Sequence, residues 1–362
     1  MAYPSTSQGS LDNDIAVPPD GEDTITSLAW SPVADHLAAS SWDCKVRIYD
    51  VSSTGRARGM AMLSAEGPIF GCDWVNDGDL LLAGGADQKI HLLDLASGQQ
   101  TTIGSHDAPV RGICSVDVPG SRGPIVASGS WDGTVKFWDV RTSGSAVATL
   151  SCKERVYALD SKAQLLVIAT AEQHIHLVDL KNPTQFLRTL ESPLKYQTKA
   201  VSCFPDGKGW VTASIGGRVG INCLNESDDN FTFKCHRDPM DQKRIIRIWA
   251  INDVDFHPVH KTTFSTAGSD GTFTFWDRAS KSRVSSYPPV SPAAGSKGGD
   301  NPISITATSF NRDGRFFAYA VGYDWSRGCA GNHPQNETKV VIHPVEDEDA
   351  IPKSKARALL KE

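Results

Sequence analysis

Four side chains near the middle of the chain could do hydrolytic chemistry: His106, Ser128, Asp132 and Trp138 beside them. A histidine, a serine and an aspartate are the parts of a nucleophilic triad. Their surroundings argue against it, because no Gly-x-Ser-x-Gly elbow frames Ser128 and no oxyanion site is evident. The better reading is a structural hydrogen-bond chain running from His106 through Asp132 and Ser128 to the Trp138 indole, since buried donors need partners. His174 and His176 face the same side of a strand, and His257 and His260 share a turn, but no further ligands are spaced to complete a metal site. The glycines of Gly295–Gly299 follow no strand-to-helix pattern, so they read as linker rather than phosphate loop. No catalytic, cofactor-binding or metal-ligating set is therefore assigned. The cations are more informative. Arg218, Arg237 and Lys195, with Tyr196, gather around one stretch of the chain, and arginine suits bidentate recognition of carboxylate or phosphate.

The elements that must position these residues are repeats. Ser128 to Asp139 reads SGSWDGTVKFWD, a strand end, a tight Asp-Gly turn and a strand closing on Trp-Asp. Weaker copies end at Asp50, Asp94, Asp179 and Asp277. The first four closing aspartates, Asp50, Asp94, Asp139 and Asp179, are 44, 45 and 40 residues apart. A period of roughly 40–45 residues with that ending marks WD40 repeats, each one four-stranded propeller blade. The chain is accordingly read as an all-β, seven-bladed propeller spanning 14–345. Blade five is diverged, with strands b, c and d at Gly209–Ser214, Arg218–Leu224 and Phe231–Cys235. Blade seven is one strand short, and the orphan strand Asp14–Val17 is expected to complete it and close the ring. Residues 1–13 are read as a disordered, mobile tail and 346–362 as a polar tail.

Three insertions, 238–247, 288–302 and 325–338, fall in d-to-a or b-to-c connections, which emerge on one face of a propeller. Long loops on a rigid scaffold are where binding concentrates. Arg218, Arg237 and Lys195 belong to that face, as do Trp42 and Trp131, each just before a turn aspartate. Composition sets bounds. The formal net charge of −6 excludes a polycationic body, so nucleic-acid contact would need a local basic patch. No run of 18 apolar residues suggests a membrane span, and the first ten residues do not read as a secretory signal. Eight cysteines stand singly with no Cys-x-x-Cys, which suggests buried thiols in a reducing compartment. Trp138-Asp-Val-Arg141 matches a short pattern found in some ubiquitin-ligase substrate receptors.

The runs Glu191-Ser-Pro-Leu-Lys-Tyr196, Ala213-Ser-Ile-Gly-Gly-Arg-Val219, Asn230-Phe-Thr-Phe-Lys-Cys-His-Arg237 and Phe256-His-Pro258 resemble two paralogous propeller families. One is the Rae/Gle-type mRNA export factor of the nuclear pore, and the other the Bub-type mitotic-checkpoint WD40 protein. Tyr323-Asp-Trp-Ser-Arg-Gly328 and Asp107-Ala-Pro-Val-Arg111 are similar to the export factor. The resemblance covers about Asp14 to Val345 and implies a non-enzymatic scaffold without cofactors. That scaffold binds the GLEBS segment of an FG nucleoporin, as a monomer within that heterodimer, and supports poly(A) mRNA export. It further implies a location at the nuclear envelope and pore, shuttling to the cytoplasm, with mRNA or mRNP as a further partner and no membrane insertion. The alternative it leaves is a kinetochore or spindle-checkpoint adaptor reading phosphorylated or acidic peptides. Carried over, the partner-binding residues match Arg237 and Arg218, then Lys195, Lys234 and Trp42. One departure is Ile215-Gly-Gly217 before Arg218, where the family commonly has an acidic residue and then glycine.

Overall fold

Strands rich in Val, Ile, Thr and aromatics bury both faces only when sheets stack on either side of them. The computed structural model, which describes residues 7–18, 21–75, 77–225, 229–290, 302–333 and 336–352, arranges them as seven sheets, one per blade. Six sheets have four strands and the sixth blade has five. The second strand of a blade is buried and the outer one half-exposed, as in Leu165–Thr170 against Arg188–Glu191 of blade four. A buried apolar cluster lies at each of the seven blade-to-blade seams, which decides that the ring is closed rather than a broken arc.

Closure is made as the repeat count predicts. Ile15–Ala16 pairs antiparallel with Lys339–Pro344, Ile15 opposite Ile342, and Val17 N–H donates to Val340 O at 2.9 Å. Asp14 fixes that junction: one carboxylate oxygen lies 2.6 Å from His343 Nδ1 and the other accepts from Tyr319 OH at 2.5 Å. Inner-strand carboxylates also stitch blades together around the channel. Asp73 accepts from Ser115 N–H at 2.8 Å, Asp160 from Cys203 N–H at 2.6 Å, Asp253 from Thr308 N–H at 2.7 Å and Asp255 from Phe310 N–H at 2.8 Å. Burial, partly offset by these bonds, raises Asp73 and Asp253 to about 6 and Asp255 to about 7.

Three features differ from the expectation. The segment 7–13, read as mobile, lies along blade six. Ser7–Gln8 adds a parallel fifth strand opposite Ser285 and Ser286, and Gly9 N–H donates to Ser286 O at 2.9 Å. Glycine is required there because a Cβ on Gly9 would stand 2.2 Å from the Tyr287 ring. The polar C-terminal segment also docks in part. Asp347–Ala350 forms a helical turn, Thr263 Oγ1 donates to Ala350 O at 2.7 Å and Ser285 Oγ to Asp349 O at 2.9 Å. Residues 1–6 and 353–362 of the two expected tails lie outside the described residues. Blade five has a strand a, Thr198–Cys203, which the sequence did not reveal because its blade lacks a Trp-Asp ending to count back from.

Candidate peptide-binding face

The insertion-bearing face carries two groups of residues. The first is a basic rim where blades four, five and six meet. Strand c of blade five, Arg218–Cys223, pairs with strand d, Phe231–Lys234, so that Arg218 stands directly across from Lys234. Arg237 follows three residues later and pairs with Ile248 across the blade-five-to-six connection. Its guanidinium is held by two carbonyls of the neighbouring turn: Nη2 donates to Gly216 O at 2.9 Å and Nε to Gly217 O at 3.4 Å. That turn needs glycine, since Gly217 has φ +58° and a Cβ would stand 2.9 Å from Cys235 O. A Cβ on Gly216 would stand 2.4 Å from the Tyr196 ring, so the half-exposed Tyr196 covers the turn. Lys195 and Lys234 are exposed beside it.

Burial lowers the pKa of Arg237, and the adjacent Arg218 lowers it further. Two cations are thus held close together, and among the described residues neither has a carboxylate partner. An anion placed between them relieves both penalties at once.

A buried histidine aims Arg237. His236 has φ +49°, a conformation costly for a side chain with a Cβ, and it is held there by hydrogen bonds. Its Nδ1 lies 2.9 Å from Asp270 and its Nε2 2.9 Å from Thr266 Oγ1, which also accepts from Trp276 Nε1 at 2.9 Å. Burial pushes the Asp270 carboxyl up, but His236 and Thr272 outweigh it and hold the group below its usual range. The same chain exists in blade three. His106 Nδ1 lies 2.9 Å from Asp132, Nε2 lies 2.8 Å from Ser128 Oγ, and Trp138 Nε1 donates to Ser128 Oγ at 2.7 Å. The blade-six chain was missed in the sequence, although Thr266, Asp270 and Trp276 repeat the offsets of Ser128, Asp132 and Trp138, four and then six residues. The insertion at 238–247 hid it by lengthening the step from the histidine.

The second group is an aromatic arc over the channel mouth, drawn from blades seven, one, two and three. Tyr323 and Trp325 lie 5.8 Å apart, Trp325 stacks on Trp42 at 4.4 Å, Trp42 meets Phe70 at 5.3 Å, and Phe70 stacks on Trp131 at 5.8 Å. Trp131 remains 39% exposed, a large ring left available for contact. Of these five rings the sequence reading named Trp42 and Trp131 as anchors; Tyr323 and Trp325 come from one loop after Phe316–Gly322 and Phe70 from the strand Ile69–Trp74, and no local spacing links the two places. Below the arc, Arg111 donates to Phe70 O at 3.5 Å and Lys199 to Asn252 Oδ1 at 2.6 Å.

The remaining candidates are structurally occupied. His176 bonds Thr189 at 2.9 Å and stacks on Phe186. His257 Nδ1 accepts the backbone N–H groups of Val259 and His260, and burial brings its pKa down to about 4. Arg141 forks onto Asp139 at 2.9 and 2.6 Å, which holds that carboxyl at about 2. Among the described residues no group of three or more His, Cys, Asp or Glu could hold a metal, and no helix is long and apolar enough to cross a membrane.

Comparison with known proteins matches the family model "WD domain, G-beta repeat" at residues 13–50, 60–94, 97–139 and 243–277. Across nearly the whole chain, relatives are similar at 34% identity and above. The WD40 repeat protein poxJ of Penicillium oxalicum is 46% identical, covering 96% of this chain and 98% of that protein. The mRNA export factor GLE2 of Chaetomium thermophilum is 45% identical over 95% of this chain and 94% of its own. The poly(A)+ RNA export protein of Schizosaccharomyces pombe is 42% identical over 97% and 96%. The mitotic checkpoint protein BUB3.1 of Arabidopsis thaliana is more distant, at 34% over 96% of each chain.

Proposed function

The chain belongs to the Rae/Gle-type family of WD40 mRNA export propellers, and from that premise we propose that it is a non-enzymatic scaffold of the nuclear pore. In this reading it binds the GLEBS segment of an FG nucleoporin and helps carry poly(A) mRNA out of the nucleus. The GLE2 and Schizosaccharomyces pombe relatives, named as export proteins, support the export role, and their 45% and 42% identity exceeds the 34% of the checkpoint relative. The observation that carries the peptide site is the pair Arg218 and Arg237, held side by side on an exposed rim with backbone carbonyls, not carboxylates, as the anchors of Arg237. An acidic segment laid across this face would pair with Arg237 and Arg218, with Lys195 and Lys234 at the edge. Tyr196 and Trp42 would supply apolar contact, and the ring scaffold would give shape while the cations set register.

Calorimetric titration with a GLEBS peptide tests this. Arg237→Glu is expected to weaken binding by about a hundredfold or more, as truncation or reversal of a charge-pair partner does. Unchanged affinity in the variant overturns the site. A parallel pull-down with phosphorylated kinetochore peptides decides the function: capture of those baits in preference to GLEBS replaces the export reading with the checkpoint one.

A further inference from the structure

The connection from blade five to blade six stands out from the surface around it. All ten residues from Pro239 to Ile248 are exposed. They form a hairpin-like finger on the base pair Arg237 and Ile248, with Asp238 N–H donating to Arg247 O at 3.1 Å and Asp241 N–H to Ile245 O at 2.9 Å. The finger exposes Met240, Ile245, Ile246 and Ile248 at 60%, 54%, 44% and 49%, four of the 13 large apolar side chains exposed among the described residues. Isolated exposed aliphatics need no explanation, but four within nine residues of chain do.

Its cations outnumber its acids, Lys243, Arg244 and Arg247 against Asp238 and Asp241. Both acids are used inside the finger: Asp238 accepts from Trp249 Nε1 at 3.0 Å, and Asp241 Oδ1 accepts from Ile245 N–H at 2.8 Å. Lys243, Arg244 and Arg247 carry no ion pair among the described residues. Trp249, partly exposed, sits at the base where the finger meets the blade. The order from tip to base is thus cations interleaved with isoleucines, then an indole.

We propose that this finger is a peripheral docking point for an anionic lipid surface. Interfacial binding combines aliphatic side chains set among the acyl chains, cations at the phosphate level and an aromatic ring at the boundary, and the finger holds all three. A protruding segment suits a bilayer, which deforms around it; a protein partner would need a cavity shaped to four aliphatics. The contact is superficial and spans nothing. It adjoins the peptide site, whose Arg237 pairs with Ile248 at the foot of the finger.

Flotation of the full chain with phosphatidylcholine vesicles, with and without phosphatidylserine, tests the proposal. The wild type is expected to float with the anionic vesicles only, and less so as salt rises. Ile245→Ser with Ile246→Ser, and separately Lys243→Glu with Arg244→Glu, should each lower recovery by about tenfold, since one short apolar tip gives marginal affinity without its charges. These side chains are exposed, so thermal unfolding should match the wild type. Arg218→Glu should still float. Three results overturn the proposal: no flotation with either vesicle, equal flotation with neutral ones, or loss in Arg218→Glu with the finger variants unaffected. Absent flotation together with weakened GLEBS titration in the finger variants would reassign the finger to a protein partner.

Discussion

Blades three and six contain the same buried device and put it to different use. In both, a loop histidine bonds an aspartate and a hydroxyl, and the hydroxyl accepts from a tryptophan indole. In blade three the next residue is Asp107, whose N–H donates to Asp132 at 3.1 Å. In blade six the next residue is Arg237, which reaches across to the blade-five turn. The hydrogen-bond chain is scaffold in both places. What differs is the side chain hung on its end, and a cation there gives the rim a place for an anion.

The largest effect should come from breaking each chain at its histidine. His106→Ala and His236→Ala each take the imidazole partner from a largely buried carboxylate and a buried hydroxyl, costing on the order of 3 kcal/mol in urea unfolding. Only His236→Ala should also weaken GLEBS titration. Equal loss of affinity in both variants would break the comparison. Gly217→Ala should cost about 1–2 kcal/mol, because a Cβ at positive φ meets Cys235 O, and it should weaken the peptide by moving the carbonyls that hold Arg237. The equivalent turn glycine of blade three, Gly133 at φ +79°, should give a similar stability loss with affinity intact.

A further effect is set by pH. Asp73, Asp253 and Asp255 titrate in the folded ring near 6, 6 and 7, above the ordinary carboxylate range. The folded state therefore binds protons more tightly than the unfolded chain over that window. Stability should rise as pH falls from 8 to 5.5, by about 3–4 kcal/mol in all. Asp132 and Asp270 work in the opposite sense. Their depressed pKa values give stability that is present above the ordinary carboxylate range and lost as acid reaches them, so both chains should fail together below about pH 4. A stability optimum at mildly acid pH in thermal scans is the expected result. A monotonic decline from pH 8 downward contradicts the assignment of the channel carboxylates.

The blades were readable because Trp138 and Asp139, and their weaker copies, recur at a fixed period, and the closing strand was readable because blade seven came up one short. The rim was readable too, since alternation of loops between two faces places Arg218 and Arg237 together without coordinates. The docking of residues 7–13 was not, because it depends on Gly9 fitting beneath Tyr287, a contact between distant parts of the chain. Nor was the aromatic arc: Phe70 meets Trp42 across the seam of blades one and two, and only ring closure makes Trp325, in an insertion, a neighbour of Trp42.

A charge swap tests the central claim most directly. Arg237→Glu is titrated against the native GLEBS peptide and against one whose acidic residues are replaced by lysine. The account predicts that the variant loses the acidic peptide and recovers measurable affinity for the lysine one. Tight binding of the acidic peptide by Arg237→Glu, with no gain for the lysine peptide, would contradict it.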